Sequence, residues 1–152
     1  MSTTASHEDV LRLDRQICFP IYAASNAMVR LYRPLLDALE LTYPQYLVML
    51  VLWEQDGRSV GELGTRLYLD SGTLTPLLKR METAGLVTRA RDPADERRVV
   101  VSLTTVGRKL RNKARDVPLK LLGTVPMPVA DLVEMGQRLR ELVGAMQTPA
   151  GD

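Results

Sequence analysis

The feature that most limits what this chain can fold into is a change of hydrophobic period at Gly85. Before it, apolar residues recur every three or four positions, the repeat of helices that bury one side. After it, Leu86 to Arg91 and Arg97 to Leu103 are short runs of β-branched residues separated by Asp92-Pro93-Ala94-Asp95-Glu96. Together they predict a β-hairpin with a charged tip. Beyond Leu103 the helical period returns, so the expected class is mainly α, of the α+β type.

The helices have readable ends. Asp14 to Glu40 predicts a long helix with Ile17, Ile21, Ala24, Met28, Leu31, Leu35 and Leu39 on one side. Pro20 has no N–H for Gln16, so this helix either starts near Cys18 or kinks there, and Pro34 predicts a second kink or a break. Pro44 to Gln55 predicts a second helix, with the proline in its first turn and Gly57 after its end. Ser59-Val60-Gly61-Glu62 is a capping box that opens a short helix to about Arg66. Tyr68-Leu69-Asp70-Ser71-Gly72 reads as a turn, after which Asp70, Ser71 or Thr73 caps a helix to Ala84. Pro76 fits if that helix starts near Thr73 and is strained if it starts earlier, while Gly85 suits a left-handed carboxy-terminal cap. Thr104 or Thr105 caps a helix carrying Val106, Leu110, Ala114 and Val117, which Pro118 interrupts. Pro126 and Pro128 precede a last helix in which Leu132, Met135, Leu139, Leu142 and Met146 have the spacing of a helix–helix seam.

Composition narrows the function classes. With 152 residues, of which 45% are hydrophobic, the chain has the size of one domain with its own core. Twenty Lys+Arg against eighteen Asp+Glu give a net charge of +2, which excludes a polycationic coat but not local contact with nucleic acid. The run Tyr46 to Trp53 is far shorter than the roughly 20 residues of a membrane span. Met1 to Asp9 lacks the basic and apolar regions of a signal peptide, so a cytoplasmic protein with no membrane partner is expected. One Cys and one His exclude an intrachain disulfide and a Cys/His zinc cluster, and no cofactor is implied. A Ser-His-Asp triad would have to use His7, near the amino terminus. Cys18 is then either a buried small hydrophobe or the one reactive group.

Two short helices joined by a tight turn and followed by a hairpin describe a winged helix-turn-helix, whose second helix enters the major groove while the hairpin reaches the minor groove. Ser71, Thr73 and Thr75 stand at the reading end of that helix, followed by Lys79 and Arg80. The hairpin contributes Arg89, Arg91, Arg97 and Arg98, and Asp95 is placed to hold the Arg97 guanidinium in a bidentate pose. Six basic and four acidic residues between Ser71 and Val100 give that segment alone the +2 of the whole chain. The bland alternative is a solvated charged hairpin. Leu69, Leu74, Leu77, Leu78 and Met81 read as the packing side of the second helix.

Tyr43-Pro44-Gln45-Tyr46, then Leu69-Asp70-Ser71-Gly72-Thr73-Leu74-Thr75-Pro76-Leu77-Leu78-Lys79-Arg80, then Asp95-Glu96-Arg97 ending in Leu103-Thr104, resemble the MarR family of dimeric winged-helix regulators. More narrowly they resemble its organic-hydroperoxide-resistance branch, over roughly Leu13 to Leu122. The resemblance implies a homodimer interlocked through first and last helices, and repression by binding a near-palindromic double-stranded operator. In the single domain 1–152 it implies a helical dimerisation region at about 8–40 and 105–147 and a winged DNA-binding region at about 44–104. By matching position Arg97 is the minor-groove arginine supported by Asp95, and Ser71, Thr73, Thr75, Lys79 and Arg80 belong to the recognition helix.

Tyr22, one helical turn after Cys18, is placed to bring its hydroxyl to the sulfur, and a phenol donating to a thiolate at a helix start lowers the thiol pKa. Leu13-Asp14-Arg15-Gln16-Ile17-Cys18-Phe19 resembles the segment in which that branch carries its peroxide-sensing cysteine, and the match extends to Tyr22, Tyr32 and Tyr43 as the tyrosines around the thiol. The resemblance implies that the thiolate attacks peroxide and becomes a sulfenic acid, reduced protein binding DNA and oxidised protein releasing it. Apolar neighbours (Ile17, Phe19, Ile21, Leu50, Trp53) favour an organic hydroperoxide as inducer. The sequence departs from the two-cysteine subgroup, because Leu121 to Pro128 holds no thiol. Resolution then falls to a low-molecular-weight thiol, a backbone nitrogen or overoxidation. Two other functions compete: a regulator released by a small ligand with Cys18 structural, and a one-cysteine thiol peroxidase. The second is disfavoured because a basic reading helix and wing serve no turnover, so the expectation is a regulator and not an enzyme.

Overall fold

The computed structural model describes residues 9–147, so His7 lies outside the described residues. Contacts divide the chain into two compact units, with the boundary between Val117 and Pro118.

In the first unit two 3-10 turns, Asp9–Leu11 and Leu13–Arg15, precede helix α1 (Phe19–Asp37). Pro20 decides the start: it lies in the first turn, where a missing N–H costs nothing, and Cys18 is the residue just outside the helix. Of the two alternatives that Pro20 leaves open, the structure takes the start near Cys18, and Asp14 to Gln16 lies outside α1. Pro34 does not break the helix, which runs three residues beyond it. Of the apolar side expected along α1 only Leu39, after the helix, is buried, and the buried residue within the helix is Leu36, which that side does not include; Ile17 and Ile21 are exposed.

Helix α2 (Tyr43–Glu54) begins with a capping box that the sequence reading did not single out: Thr42 Oγ1 accepts from the Gln45 N–H, and Gln45 Oε1 accepts from the Thr42 N–H at 3.0 Å. The Ser59–Glu62 box opens α3 (Val60–Leu67) as the spacing requires. Of the three candidate caps of α4 (Ser71–Thr83), Asp70 is the one used, its Oδ1 accepting from the Thr73 N–H at 2.8 Å. Pro76 is thus inside the helix, and the carbonyl it leaves unpaired belongs to exposed Gly72. At the other end Gly85 takes φ +74°, with Leu86 N–H donating to the Met81 carbonyl and Gly85 N–H to that of Glu82, a Schellman ending.

Strands β1 (Arg58–Ser59), β2 (Val87–Asp92) and β3 (Asp95–Leu103) form one antiparallel sheet in the order β1-β3-β2. Strand β2 ends one residue later than expected and β3 starts two earlier, so the tip shrinks from five residues to Pro93-Ala94, and the register slips between Arg91 and Asp92. The apolar side of α4 (Leu74, Leu77, Leu78, Met81) is buried against Tyr46, Met49, Leu52 and Leu63, with Val101 closing the sheet side of this core.

Helix α5 (Thr105–Ala114), capped by Thr104, is pinned against this core. Trp53 Nε1 donates to the Gly107 carbonyl at 2.9 Å, and a Cβ on Gly107 would lie 2.2 Å from the Leu86 carbonyl oxygen. Only a residue without a side chain allows that approach. Asp56 completes the junction: Oδ1 accepts from the Gly57 and Leu103 N–H groups, both at 2.8 Å, and Oδ2 accepts from Arg108 at 2.7 Å. Helix α5 ends at Ala114, four residues before Pro118.

Helix α6 (Val117–Thr124) begins at the boundary, and α7 (Val129–Gln147) lies wholly in the second unit. No residue of α7 is buried. The seam positions Met135, Leu139, Leu142 and Met146 are 39–67% exposed.

Candidate functional site

Helix α4 presents two chemically different sides. While its leucines and Met81 go inward, Ser71, Thr73, Thr75, Lys79 and Arg80 are all exposed. This follows from the helical period: Thr75, Lys79 and Arg80 lie between the buried positions, and Ser71 and Thr73 precede the first of them, Leu74. Thr75 also borders a hollow of about 450 Å³ shared with Ser59, Val60 and Gly61 at the start of α3 and with Asp95 and Arg97 of the hairpin. Three elements distant in sequence thus meet on one surface.

The four hairpin arginines are held differently. Arg89 is the most enclosed: its Nε and Nη2 donate to Glu82 Oε2 at 3.1 and 2.9 Å, and its backbone N–H donates to Oε1 at 3.1 Å. These bonds, the side-chain ones first, hold the Glu82 carboxyl below the usual range. Arg91 donates to the Glu96 carbonyl at 2.9 Å across the turn. Arg98 reaches Glu62 on α3 at 3.2 Å and lies 3.8 Å from Asp92. Arg97 is the free one, its side chain 93% exposed. Asp95 does support it, but not by the expected two-oxygen fork: Oδ1 alone accepts from the Arg97 backbone N–H at 3.1 Å and from Nε at 3.3 Å. With i and i+2 on the same strand face, one oxygen reaches both donors while the guanidinium end projects outward.

Cys18, just before α1, is exposed, not a core residue of the protomer. Tyr22 N–H donates to the Cys18 carbonyl at 3.1 Å, yet Tyr22 is itself 66% exposed. Among the described residues the Cys18 side chain makes no cap to its own helix, and its only relation to Tyr22 is through backbone. Tyr32 and Tyr43 do come together, with ring centroids 4.7 Å apart, and Tyr46 joins them at 5.8 and 6.4 Å. Tyr46 was not among the expected site residues, although its i+3 spacing from Tyr43 puts both on one side of α2. Trp53 extends the cluster edge-on, 6.5 Å from Tyr46. Burial first, then the neighbouring phenols, pushes Tyr32 up to about 12, and burial raises Tyr43 and Tyr46 as well. These phenols keep their protons at neutral pH and are donors there. Of the expected apolar neighbours, Ile17, Phe19 and Ile21 flank Cys18 and are exposed, while Leu50 lines a separate groove between α2 and α3.

Among the described residues there is no group of three or more His, Cys, Asp or Glu able to hold a metal ion, and no helix long and apolar enough to cross a membrane.

Comparison with known proteins gives a consistent picture. A family model described as transcriptional regulator SarA/Rot matches residues 30–114. The organic hydroperoxide resistance transcriptional regulator of Bacillus subtilis (strain 168) is 49% identical over 135 residues, 89% of this chain and 92% of the relative. The HTH-type transcriptional regulator TtmR of Methylorubrum extorquens (strain PA1) is 48% identical, over all of this chain and 81% of its own. Reduced AbfR bound to DNA superposes with a TM-score of 0.79 at 31% identity, covering 94% of this chain and 97% of that one. AbfR has also been solved overoxidised on DNA (TM-score 0.70, 34% identity, covering 89% and 98%) and in a disulfide form (0.64, 33%, covering 90% and 96%).

Proposed function

Because the chain belongs to the MarR family of winged-helix transcriptional regulators, within the organic-hydroperoxide-resistance branch, we propose that it is a homodimeric repressor that leaves its operator when an organic hydroperoxide oxidises Cys18. Exposed Ser71, Thr73, Thr75, Lys79 and Arg80 then read the major groove from α4, and Arg97, supported by Asp95, enters the minor groove. Arg89, tied to Glu82, serves this surface by fixing β2 to the end of α4. Residues of about 44–104 form the DNA-binding region, and about 8–40 with 105–147 form the dimerisation region, whose apolar faces on α1 and α7 a second copy covers.

The sensing half is carried by one observation: the sole thiol stands exposed just before α1, and among the described residues it makes no side-chain hydrogen bond to the phenol cluster of its own protomer. In the dimer, Cys18 of one protomer meets the Tyr32 and Tyr43 phenols of the other, which steady the thiolate by donating to it, with Tyr22 at the rim. The thiolate attacks the peroxide oxygen: an S–O bond forms as the O–O bond breaks, and the alcohol leaves with a proton. A low-molecular-weight thiol then displaces water from the sulfenic acid and leaves a mixed disulfide. That overoxidised AbfR is bound to DNA supports the disulfide, not overoxidation, as the releasing form here. The absence of another thiol in this chain makes the resolving partner external. The site is a bacterial-type stress sensor in a chain that works in the cytoplasm, and it does not turn peroxide over.

The test is retention of an operator duplex by reduced protein before and after one equivalent of cumene hydroperoxide with excess cysteine, beside Cys18→Ser. Release of the native protein alone is expected. Equal behaviour of both proteins contradicts sensing through Cys18. A second reading, release by a small ligand, is favoured by the groove of about 350 Å³ that Leu47, Leu50, Val51 and Tyr68 line beside the Glu54–Arg66 ion pair.

A further inference from the structure

Arg97 and Arg98 follow one another on β3 and both border the hollow beside α3, yet their guanidinium groups have different fates. Arg97 stands 93% exposed, whereas Arg98 Nη2 donates to Glu62 Oε2 at 3.2 Å and Nη1 lies 3.8 Å from Asp92 Oδ2. The Glu62 oxygen that receives Arg98 also accepts the Ser59 N–H at 2.7 Å, and Glu62 Oε1 lies 3.7 Å from Arg58. The carboxylate is therefore ordered by the capping box of α3, whether or not the hairpin is in place. Backbone and side-chain hydrogen bonds from Ser59, and then the Arg98 charge, hold its pKa below the usual range, so it stays ionised.

We propose that Glu62 is a specificity-determining residue of the DNA-binding surface: it withholds Arg98 from the phosphate backbone and bolts the hairpin to α3 so that Arg97 arrives in a fixed pose. An exposed ion pair commonly adds little, because two flexible side chains must be ordered to form it. Here one partner is already ordered by its own helix, and the arginine is bracketed by a second carboxylate. A freed arginine beside DNA would add attraction that is the same for every sequence. Occupied, it contributes to register instead. Arg89 and Arg91 are tied as well, so Arg97 is the one hairpin arginine left almost wholly to the solvent.

The inference rests on the DNA-binding reading, and the experiment separates the two. The probes are a duplex that the native protein selects from a random pool and a scrambled duplex of the same composition, each titrated across a range of salt. Glu62→Gln keeps the cap, since Gln45 performs that role at the start of α2 in this same chain. It is expected to strengthen scrambled-duplex binding about threefold, to steepen its log–log salt dependence by about 0.9 per protomer, and to lower the selected-to-scrambled ratio about tenfold. Arg98→Gln should lower that ratio while leaving the scrambled-duplex slope at the native value. Native slope and ratio in Glu62→Gln, or a slope flattened by about 0.9 per protomer in Arg98→Gln, would overturn the proposal, the latter by placing Arg98 on phosphate in the native protein. If the native protein selects no duplex at all, the DNA-binding reading falls first and takes this inference with it.

Discussion

The hairpin and the segment around Cys18 both pair charged side chains within the protomer, as Arg89 with Glu82 and Arg12 with Asp14, but they differ in what they leave to the solvent. In the winged region Arg89, Arg91 and Arg98 each find a partner within the protomer, and α4 buries every leucine it has. Around Cys18, Leu11, Leu13 and Ile17 are 60–86% exposed, and the thiol is itself exposed. A surface built to meet a polar, highly charged ligand can be finished by one chain, because water stands in until the ligand comes. An apolar surface has no such stand-in, and the segment around Cys18 and the seam of α7, both exposed in the protomer, are where the proposed second copy docks.

The sharpest way to break this contrast is at the best-packed point of the first unit. Gly107→Ala drives a methyl into the Leu86 carbonyl, 2.2 Å away, and should cost about 2–3 kcal/mol of stability, read by urea denaturation. Leu139→Asp should do the reverse: it changes no buried contact of the protomer, but it places a charge in the exposed seam and should raise the dimer dissociation constant at least tenfold, about 1.4 kcal/mol or more. Sedimentation across protein concentrations separates the two, since the Gly107 defect should not depend on concentration. Arg97→Ala should leave stability within about 0.5 kcal/mol and weaken operator binding by about 1–3 kcal/mol. Unchanged affinity would remove Arg97 from the minor groove.

The smallest effect is in pH. Glu62 and Glu82 have carboxyl pKa values below normal in the folded protein, so their contribution is present above the ordinary carboxylate pKa and is lost as pH falls through the folded values. Tyr32 shifts the other way: its raised pKa makes the folded state relatively less stable as pH climbs from about 10 towards 12. Thermal melts at acid pH should lose only the share of Glu82 in Glu82→Gln, the share of Glu62 remaining, and an ultraviolet phenol titration should lose its step near 12 in Tyr32→Phe.

What could be read from sequence follows the range of the interactions. The Ser59–Glu62 box and the Gly85 ending involve residues within six positions, so spacing alone locates them. Pro20 left two starts for α1 open because the choice depends on whether the preceding turn is α or 3-10. Strand β1 is two residues long, too short to show a period of two, and exists because β3 offers it an edge. The Glu62–Arg98 pair spans 36 positions, and the Trp53–Gly107 bond 54, so no local pattern reports them. Helical spacing does place Tyr22 near Cys18, but the phenol that spacing brings closest is exposed, while Tyr32 and Tyr43 cluster with Tyr46 instead. The seam of α7 is legible as an apolar spacing, but nothing local in it names the surface that covers it.

The most direct test of a sensor finished between two protomers is complementation in a mixed dimer. One protomer carries Cys18→Ser and the other carries Tyr32→Phe together with Tyr43→Phe, so the only remaining Cys18 and the only intact phenol pair belong to different chains. The rate at which cumene hydroperoxide converts that Cys18 to the sulfenic acid, followed by dimedone labelling and intact mass, should match the native dimer. A rate as slow as that of the Tyr32→Phe/Tyr43→Phe homodimer would show that each Cys18 depends on the tyrosines of its own chain, and would contradict the account.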